Sequence, residues 1–363
     1  MKADNGKSKY YIVMEAIKEQ IEKGILKPND KLPSENQLSE DFGISRHTIR
    51  KAIGILENEG YVVAEHGKGT FVASRKREKI SSKNIAVVTT YITDYIFPRI
   101  IQGMDNVLTA NGYSIILKNT GNSRSGEGKC LSDVIDKNVD GVIIEPSKSA
   151  ICCLNDKQYA ELDEMGIPYV FIQGTYLSRK NHPSVVMDDV KGGELITDYL
   201  INLGHKNIIG IFKADDAQGL ARHKGYVNAL NKAKIPYNPD NVIWFHTEDR
   251  DKKPSGAINI MLDENYKFDA VVCYNDMIAS DIIDTLLQRN LKVPQDISVT
   301  GYDNLLVGNK MSITSIEHPK EKLGEMAAEL MLEKIRGISD EDSKVKRVIE
   351  PKLVIGDSCR KIN

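Results

Sequence analysis

Two domains of unlike construction are predicted: a small α+β winged helix-turn-helix over residues 1–74, and an α/β domain of two doubly wound parallel sheets, one per lobe, over residues 85–363. Three observations lead there. Residues 33–71, PSENQLSEDFGISRHTIRKAIGILENEGYVVAEHGKGTF, read as two short helices, a tight turn and a hairpin with a basic, glycine-containing tip. From Ile85 onward, short apolar runs recur with helical segments between them. Between the two parts lies RKREKISSKN, residues 75–84, polar and basic without apolar periodicity, which reads as a tether.

Composition sets loose bounds. A chain of 363 residues has room for two or three domains. Its net charge is only -2, so any affinity for nucleic acid has to be local. No stretch approaches the roughly 18 apolar residues of a membrane span. The start, MKADNGKSKYY, carries no apolar run with a cleavage site. The five cysteines form no disulfide framework, and adjacent Cys152 and Cys153 have no zinc-ligand spacing. A reducing cytoplasm is the expected setting, with no membrane partner.

The first helix is expected over about Ser8 to Lys23, with Ile12, Ala16, Ile17 and Ile21 near the helical period and Gly24 as its stop. ILKPNDKLP then breaks regular structure. Ser34 suits the N-cap of a second helix, with Gln37 as its capping-box partner. Leu38 and Phe42 would face inward, Gly43 would end the helix, and Ser45 would cap the third.

That third helix, about Arg46 to Glu59, buries Ile49, Ala52, Ile53 and Leu56. Arg46, His47, Arg50 and Lys51 stand elsewhere in its opening turns, with no acid among them. The N-terminal part of a recognition helix is what reaches base edges in a major groove. Arginine can bond guanine through two atoms, whereas lysine serves as a point charge on phosphate. Thr48 could meet a phosphate or a thymine methyl. A lone basic helix face is more often just solvated; the surrounding punctuation reverses that weighting. Strands at 61–65 and 69–73 would form a wing, with His66, Gly67 and Lys68 at its turn.

PSENQLSEDFGISRHTIRKAI, followed by EGYV and GKGTFV, resembles the N-terminal domain of the GntR family of bacterial regulators over about residues 8–74. The resemblance implies that Glu35, Arg46, His47 and Arg50 face duplex DNA, with Gly67 and Lys68 in the wing and Lys9 as a phosphate contact. Glu35 could accept from a cytosine amino group or serve as a cap. Arg75, Lys76, Arg77 and Lys79 could add phosphate contacts, though such a run is more often a solvated hinge.

In the larger domain, the apolar runs are IAVVTT (85–90), YSIILK (113–118), GVIIEP (141–146), PYVFIQ (168–173), IIGIF (208–212), NVIWF (241–245), AVVCY (270–274) and ISVTGYD (297–303). Such runs suit strands covered on both faces. SITSIEH reads as a further short strand. Ligands bind beyond the carboxyl ends of strands in these sheets. Tyr91, Tyr95, Phe97, Glu145, Lys148, Lys213, Asp216, Gln218, Arg222, Asn275, Asp303 and His318 fall there. Carboxylates, amides and an arginine among aromatic rings describe a carbohydrate site. Any one of them alone is about as often a loop charge or a helix cap.

DDVKGGELITDYLINLGHKNIIGIF, YNDMIASDIIDTL and VPQDISVTGYDN resemble the LacI-family sensor, whose fold is that of periplasmic sugar-binding proteins, over nearly all of residues 85–357. The resemblance puts Arg222, Asn275 and Asp303 on effector-binding positions, with Gln218, Tyr95 and His318 as further candidates. It also puts Asp189 and Gly192–Gly193 where the chain crosses between lobes. The LacI family's own DNA reader is replaced here by the GntR type. That pairing, with TTYITDYIFP and FKADDAQG, resembles repressors that answer to L-arabinose. Nothing in the residue chemistry separates arabinose from another pentose, and a hexose or purine is the competing effector.

Enzyme signatures are missing: no GxGxxG follows a strand, and there is no GxxxxGK[ST], HExxH or GxSxG. His66, His182, His205, His223 and His318 are scattered without metal-ligand spacing. A transport receptor would need a secretory signal and no basic recognition helix. The expectation is a non-enzymatic repressor without cofactor or metal. It would bind double-stranded DNA at a pseudo-palindromic operator as a homodimer and be released by a small sugar.

Overall fold

The computed structural model describes residues 8–65, 67–73, 81–93, 96–305, 311–338 and 345–362. His66, Tyr95, Arg75, Lys76, Arg77 and Lys79 lie outside them.

The N-terminal domain consists of α1 (Lys9–Glu22), α2 (Glu35–Phe42), α3 (Arg46–Asn58), β1 (Val62–Glu65) and β2 (Gly69–Val72). The Ser34 hydroxyl caps α2 by accepting from the Gln37 N–H at 3.2 Å. The Gln37 side chain does not return the favour; it donates forward to Asp41 at 3.1 Å, so the expected capping box is half-formed. Gly43 closes α2 at a φ of 63°, and Ser45 caps α3. The core joins Val13, Met14 and Ile17 of α1 to Leu38, Ile49, Ala52, Ile53, Leu56, Val62 and Val72. The buried stripe of α1 is turned from the expected one, leaving Ile12 47% exposed. Ile12, Val13 and Met14 are all apolar, and only one side of α1 meets α3, so periodicity alone could not choose. β1 and β2 pair antiparallel, from Val62 opposite Val72 to Glu65 opposite Gly69.

The sensor domain begins with β3 (Asn84–Thr89), α4 (Phe97–Ala110), β4 (Ser114–Asn119), α5 (Arg124–Asp136), β5 (Gly141–Ile144), α6 (Asp156–Glu164), β6 (Tyr169–Ile172) and β7 (Ser184–Met187). It continues with α7 (Asp189–Asn202), β8 (Ile208–Lys213), α8 (Ala217–Lys232), β9 (Val242–Phe245), α9 (Lys253–Asp263), β10 (Ala270–Cys273), α10 (Asp276–Gln288) and β11 (Ser298–Asp303). Last come β12 (Thr314–Glu317), α11 (Lys320–Ile335), β13 (Lys346–Ile349) and β14 (Lys352–Val354). The first lobe's sheet runs β4-β3-β5-β6-β7-β13 and the second's β9-β8-β10-β11-β12-β14. Among the described residues, the pairings within these two sheets are parallel except β12 with β14.

The chain therefore passes between lobes after β7, after β12 and after β13. α11 follows a strand of the second sheet, yet its Leu323, Ala327 and Met331 pack with Ile100 and Met104 of α4 over the first. The short edge strand β13 escaped the sequence reading because it alternates exposed and half-buried residues and opens with Lys346 and Arg347. At the far end of the expected tether, Asp140 accepts from Ser82 N–H at 2.9 Å, from Lys83 N–H at 3.3 Å and from the Ser81 hydroxyl. Burial pushes the Asp140 carboxyl up, but these donors outweigh it and hold it below its usual range. Residues 81–83 are thus fastened to the sensor rather than free tether. No helix among the described residues is long and apolar enough to cross a membrane.

α7 and α8 cross glycine to glycine. A Cβ on Gly225 would stand 2.1 Å from the Val190 carbonyl oxygen, and one on Gly193 2.3 Å from that of Arg222. Gly225→Ala is expected to lower the unfolding free energy of the sensor by about 1–3 kcal/mol. Gly256→Ala, whose Cβ would meet nothing within 4 Å, should be neutral or stabilising by up to about 1 kcal/mol. Urea denaturation of both variants checks the contrast; equal stabilities would show that α7 can yield.

Candidate functional site

The opening of α3 is cationic and open to solvent, but it is not free of acid. Arg46 and Arg50 have side chains 60% and 70% exposed. Glu35, the first residue of α2, meets Arg50 through two parallel bonds, Nε to Oε1 at 3.0 Å and a terminal nitrogen to Oε2 at 2.8 Å. Arg46 stands 3.8 Å from the same carboxylate. The Arg50 hydrogen bond holds the Glu35 carboxyl below its usual range. The acid-free sequence around Arg46 and Arg50 thus hid a partner supplied by the neighbouring helix. Because both arginines stay in water, this fork can open when a stronger acceptor arrives.

The other expected DNA residues stand around this fork. His47 and Lys51 are exposed, with the Lys51 ammonium 4.3 Å from the centre of the Tyr10 ring. Lys9 opens α1 and is exposed. The Thr48 hydroxyl is 2.9 Å from that of Ser45. In the wing, Gly67 takes a φ of 76°, which only glycine adopts without strain, and Lys68 pairs with Glu65 at 3.0 Å. The chemistry on offer is bidentate and point-charge recognition of anions and base edges.

In the sensor, a cavity of about 150 Å³ opens between the lobes at the carboxyl ends of β3, β5, β6, β8, β10 and β11. Tyr91, Phe97, Phe245 and Tyr274 supply rings, while Glu145, Lys213, Asp216, Gln218, Arg222, Asn275 and Asp303 supply polar groups. Lys213 is half-buried beside Asp216 at 3.2 Å and Asp215 at 3.6 Å. Burial works against its charge, but the two acids outweigh it and raise its pKa. Glu145 is pushed up to about 7 by burial, against donation from the Thr90 N–H at 2.8 Å and the Thr90 hydroxyl. Asp216 also caps α8 through the Gly219 N–H at 2.6 Å and accepts from the Tyr274 hydroxyl at 2.6 Å. Asn275 caps α10 through the Ile278 N–H at 3.0 Å. Capping and cleft-lining coexist at both residues.

Arg222 is almost wholly buried. It donates to Asp189 at 2.9 Å and to the Tyr274 carbonyl at 2.7 Å, and its guanidinium carbon lies 3.6 Å from the centre of the Tyr302 ring. Burial opposes its charge, yet Asp189 and the tyrosines hold its pKa above the usual arginine range.

Two expected effector residues stand elsewhere. Lys148 does not line the cavity; its ammonium bonds Glu248 and lies 3.7 Å from Asp215, both in the other lobe. The Asn122 amide donating to the Thr247 hydroxyl at 2.7 Å, and the Ala217 N–H donating to Ser149 Oγ at 2.9 Å, make further ties between lobes. Two carboxylates within reach leave Lys148 committed to bridging. His318 is 3% exposed and lies behind the wall, with Nε2 3.0 Å from Gln173 Oε1. Burial pulls its pKa down to about 4, so it is neutral at ordinary pH. Residues the strand-end reading passed over include Asn122, Gln173 and Tyr274. Asn122 and Gln173 carry positive φ, 52° and 66°, a backbone feature no sequence pattern announced. Tyr274 ended a run taken as strand. Among the described residues, no cluster of His, Cys, Asp and Glu could hold a metal ion.

Residues 9–72 match the profile of bacterial regulatory proteins of the gntR family, and residues 197–359 that of the periplasmic binding protein-like domain. The chain is 39% identical to the arabinose metabolism transcriptional repressor of Halalkalibacterium halodurans, over 97% of this chain and 96% of that protein. Its identity to the protein of the same description from Geobacillus stearothermophilus is 38%, over 98% of each. It is 31% identical to the HTH-type transcriptional repressor PurR of Vibrio parahaemolyticus, over 78% of this chain and 83% of that one. A solved transcriptional regulator CelR–cellobiose complex shares the fold, with a TM-score of 0.67 at 23% identity, covering 90% of this chain and 100% of that one.

Burying Glu145 has a pH signature. Its folded pKa of about 7 lies above the ordinary 4.5, so its contribution to stability is greatest below the ordinary value and is lost as pH rises through 7. Glu145→Gln should therefore leave stability near pH 5 little changed and raise it at pH 8, by up to about 3 kcal/mol. Urea titrations at the two pH values read this out; a pH-independent difference would mean Glu145 is ionised throughout.

Proposed function

The chain belongs to the family of the arabinose metabolism transcriptional repressors, in which a GntR-type reader is joined to a LacI-type sensor, and we propose that it grips its operator as a homodimer until L-arabinose fills the interlobe cavity. The observation that carries the reading is the cavity itself. It combines Glu145, Asp216 and Asp303 as acceptors, Lys213 and Arg222 as donors, and four aromatic rings. Sugar hydroxyls each donate and accept, and the C–H face of a sugar ring stacks on Tyr or Phe. Gln218 and Asn275 complete the proposed effector contacts, with Phe97 among the rings. The repressor would act in the cytoplasm, where its operator is.

On DNA, the cationic start of α3 would enter the major groove, with Arg46, His47 and Arg50 at base edges. Glu35 would hold Arg50 extended until guanine offers two acceptors in its place, and could itself take a cytosine amino hydrogen. Lys9, Thr48, Lys51 and Lys68 would meet phosphates, with Gly67 letting the wing approach closely. Two copies would occupy half-sites of a pseudo-palindrome about one helical turn apart. Sugar that favours one arrangement of the lobes disfavours the operator-bound one, and the coupling is reciprocal.

A purine effector is the second reading, since the same rings could stack on a flat base. Operator titrations separate the two. Saturating L-arabinose should weaken operator binding by about 5–150-fold, while hypoxanthine leaves it unchanged; release by hypoxanthine and not by the sugar would establish the second reading. Arg50→Ala should weaken operator binding by about tenfold or more while changing affinity for random DNA far less. Should the variant discriminate operator from random DNA as well as the parent does, α3 is not the reading helix.

A further inference from the structure

Lys320 is the first residue of α11, and it is only 5% exposed. Its ammonium donates to the carbonyl oxygen of Asp303 at 2.5 Å and lies 3.3 Å from that of His318. Removing an ammonium from water is costly, so its targets matter. They are the residues where β11 ends and where the chain leaves β12 for the other lobe.

The first target is strained. Asp303 has a φ of 100° and Asn304 one of 47°, a region that residues with side chains rarely adopt. Such backbone persists only where its surroundings hold it. Here three ties do so. Lys320 holds the Asp303 carbonyl, the Asn304 N–H donates to Ser315 Oγ at 3.1 Å, and the Leu305 N–H donates to Asp276 at 2.6 Å. Asp276 is fully buried and accepts from the Ser315 hydroxyl at 2.7 Å. Ser315 and Asp276 belong to the second lobe, whereas Lys320 begins a helix packed against the first lobe's sheet and α4. The tie to Asp303 is thus made from across the hinge.

We propose that Lys320 is a positioning residue for effector recognition: by holding the Asp303 carbonyl it keeps that backbone in its strained form, with the Asp303 side chain at the cleft. Lys320 touches no effector itself. The proposal rests on the reading that Asp303 receives the sugar. It adds that this contact exists only while the start of α11 stays seated at the end of β11.

The test is a double-substitution cycle read by calorimetry with L-arabinose on the full-length protein, using Lys320→Met, Lys320→Gln, Asp303→Asn and Lys320→Met with Asp303→Asn. Lys320→Met should weaken sugar binding by about five- to a hundredfold. Lys320→Gln, which keeps an N–H donor, should lose less and serves as the fallback if the methionine variant folds poorly. Sugar-free operator affinity should stay at the parent level in both. Acting through Asp303, the lysine substitution should add much less in the Asp303→Asn background, so the pair costs clearly less than the product of the separate effects. Full multiplicativity would overturn the proposal, since it marks a general structural role. Parent-like sugar binding by Lys320→Met would overturn it too. Parent-like binding by Asp303→Asn would instead remove Asp303 from the effector site, and the inference with it.

Discussion

Arg222 is a cation taken out of water at the place where the lobes join, and most of the sensor's geometry follows from what that requires. Desolvating a guanidinium costs several kcal/mol, so it persists only with full compensation. Asp189 supplies the opposite charge from the first residue of α7, the Tyr274 carbonyl accepts a second bond, and the Tyr302 ring lies against the guanidinium plane. The partners come from the crossover helix and from the ends of β10 and β11, so one side chain welds the hinge to the cleft. Gly192 and Gly193 make the seat possible. A Cβ on Gly192 would fall 2.3 Å from the Tyr302 hydroxyl, and one on Gly193 would meet the Arg222 backbone. Truncating Arg222 would strand Asp189 as a buried lone acid, so this residue cannot be changed to test recognition without also loosening the hinge.

The reader uses the same pairing of arginine with carboxylate under opposite conditions. Glu35 and Arg50 are bonded twice, yet Arg50 stays in solvent, so water and salt screen the pair, as the proposed exchange for phosphate or guanine requires. Burial makes one pair architectural, and exposure makes the other exchangeable. This contrast suits a hinge cation that has to stay seated while the contacts of the proposed DNA face exchange.

Much of the architecture was legible because its signals are local. Continuous apolar runs such as IAVVTT and AVVCY suit strands covered on both faces, and Ser34, Gly43 and Ser45 punctuate the helices where their chemistry demands. The strand-end rule found the neighbourhood of the cavity but not the direction of each side chain. Lys148 sits beside residues that line it, yet Asp215 and Glu248 draw its ammonium across to the other lobe. His318 turns into the wall to meet Gln173. Neither choice can be read from spacing, since both depend on partners 67 or more residues away in the chain. The Glu35 fork escaped for the same reason: it joins residues 15 apart on two helices. Positive φ at Gln173 and Asp303 was invisible because neither is glycine.

The proposed capture of sugar between the lobes, on groups already organised around Arg222, can be seen by diffraction from crystals grown with L-arabinose. Density for one sugar is expected in the interlobe cavity, within hydrogen-bond distance of Asp303 and Asn275 and stacked on an aromatic ring. An empty cavity at saturating sugar, or density for the sugar at another surface, would contradict it.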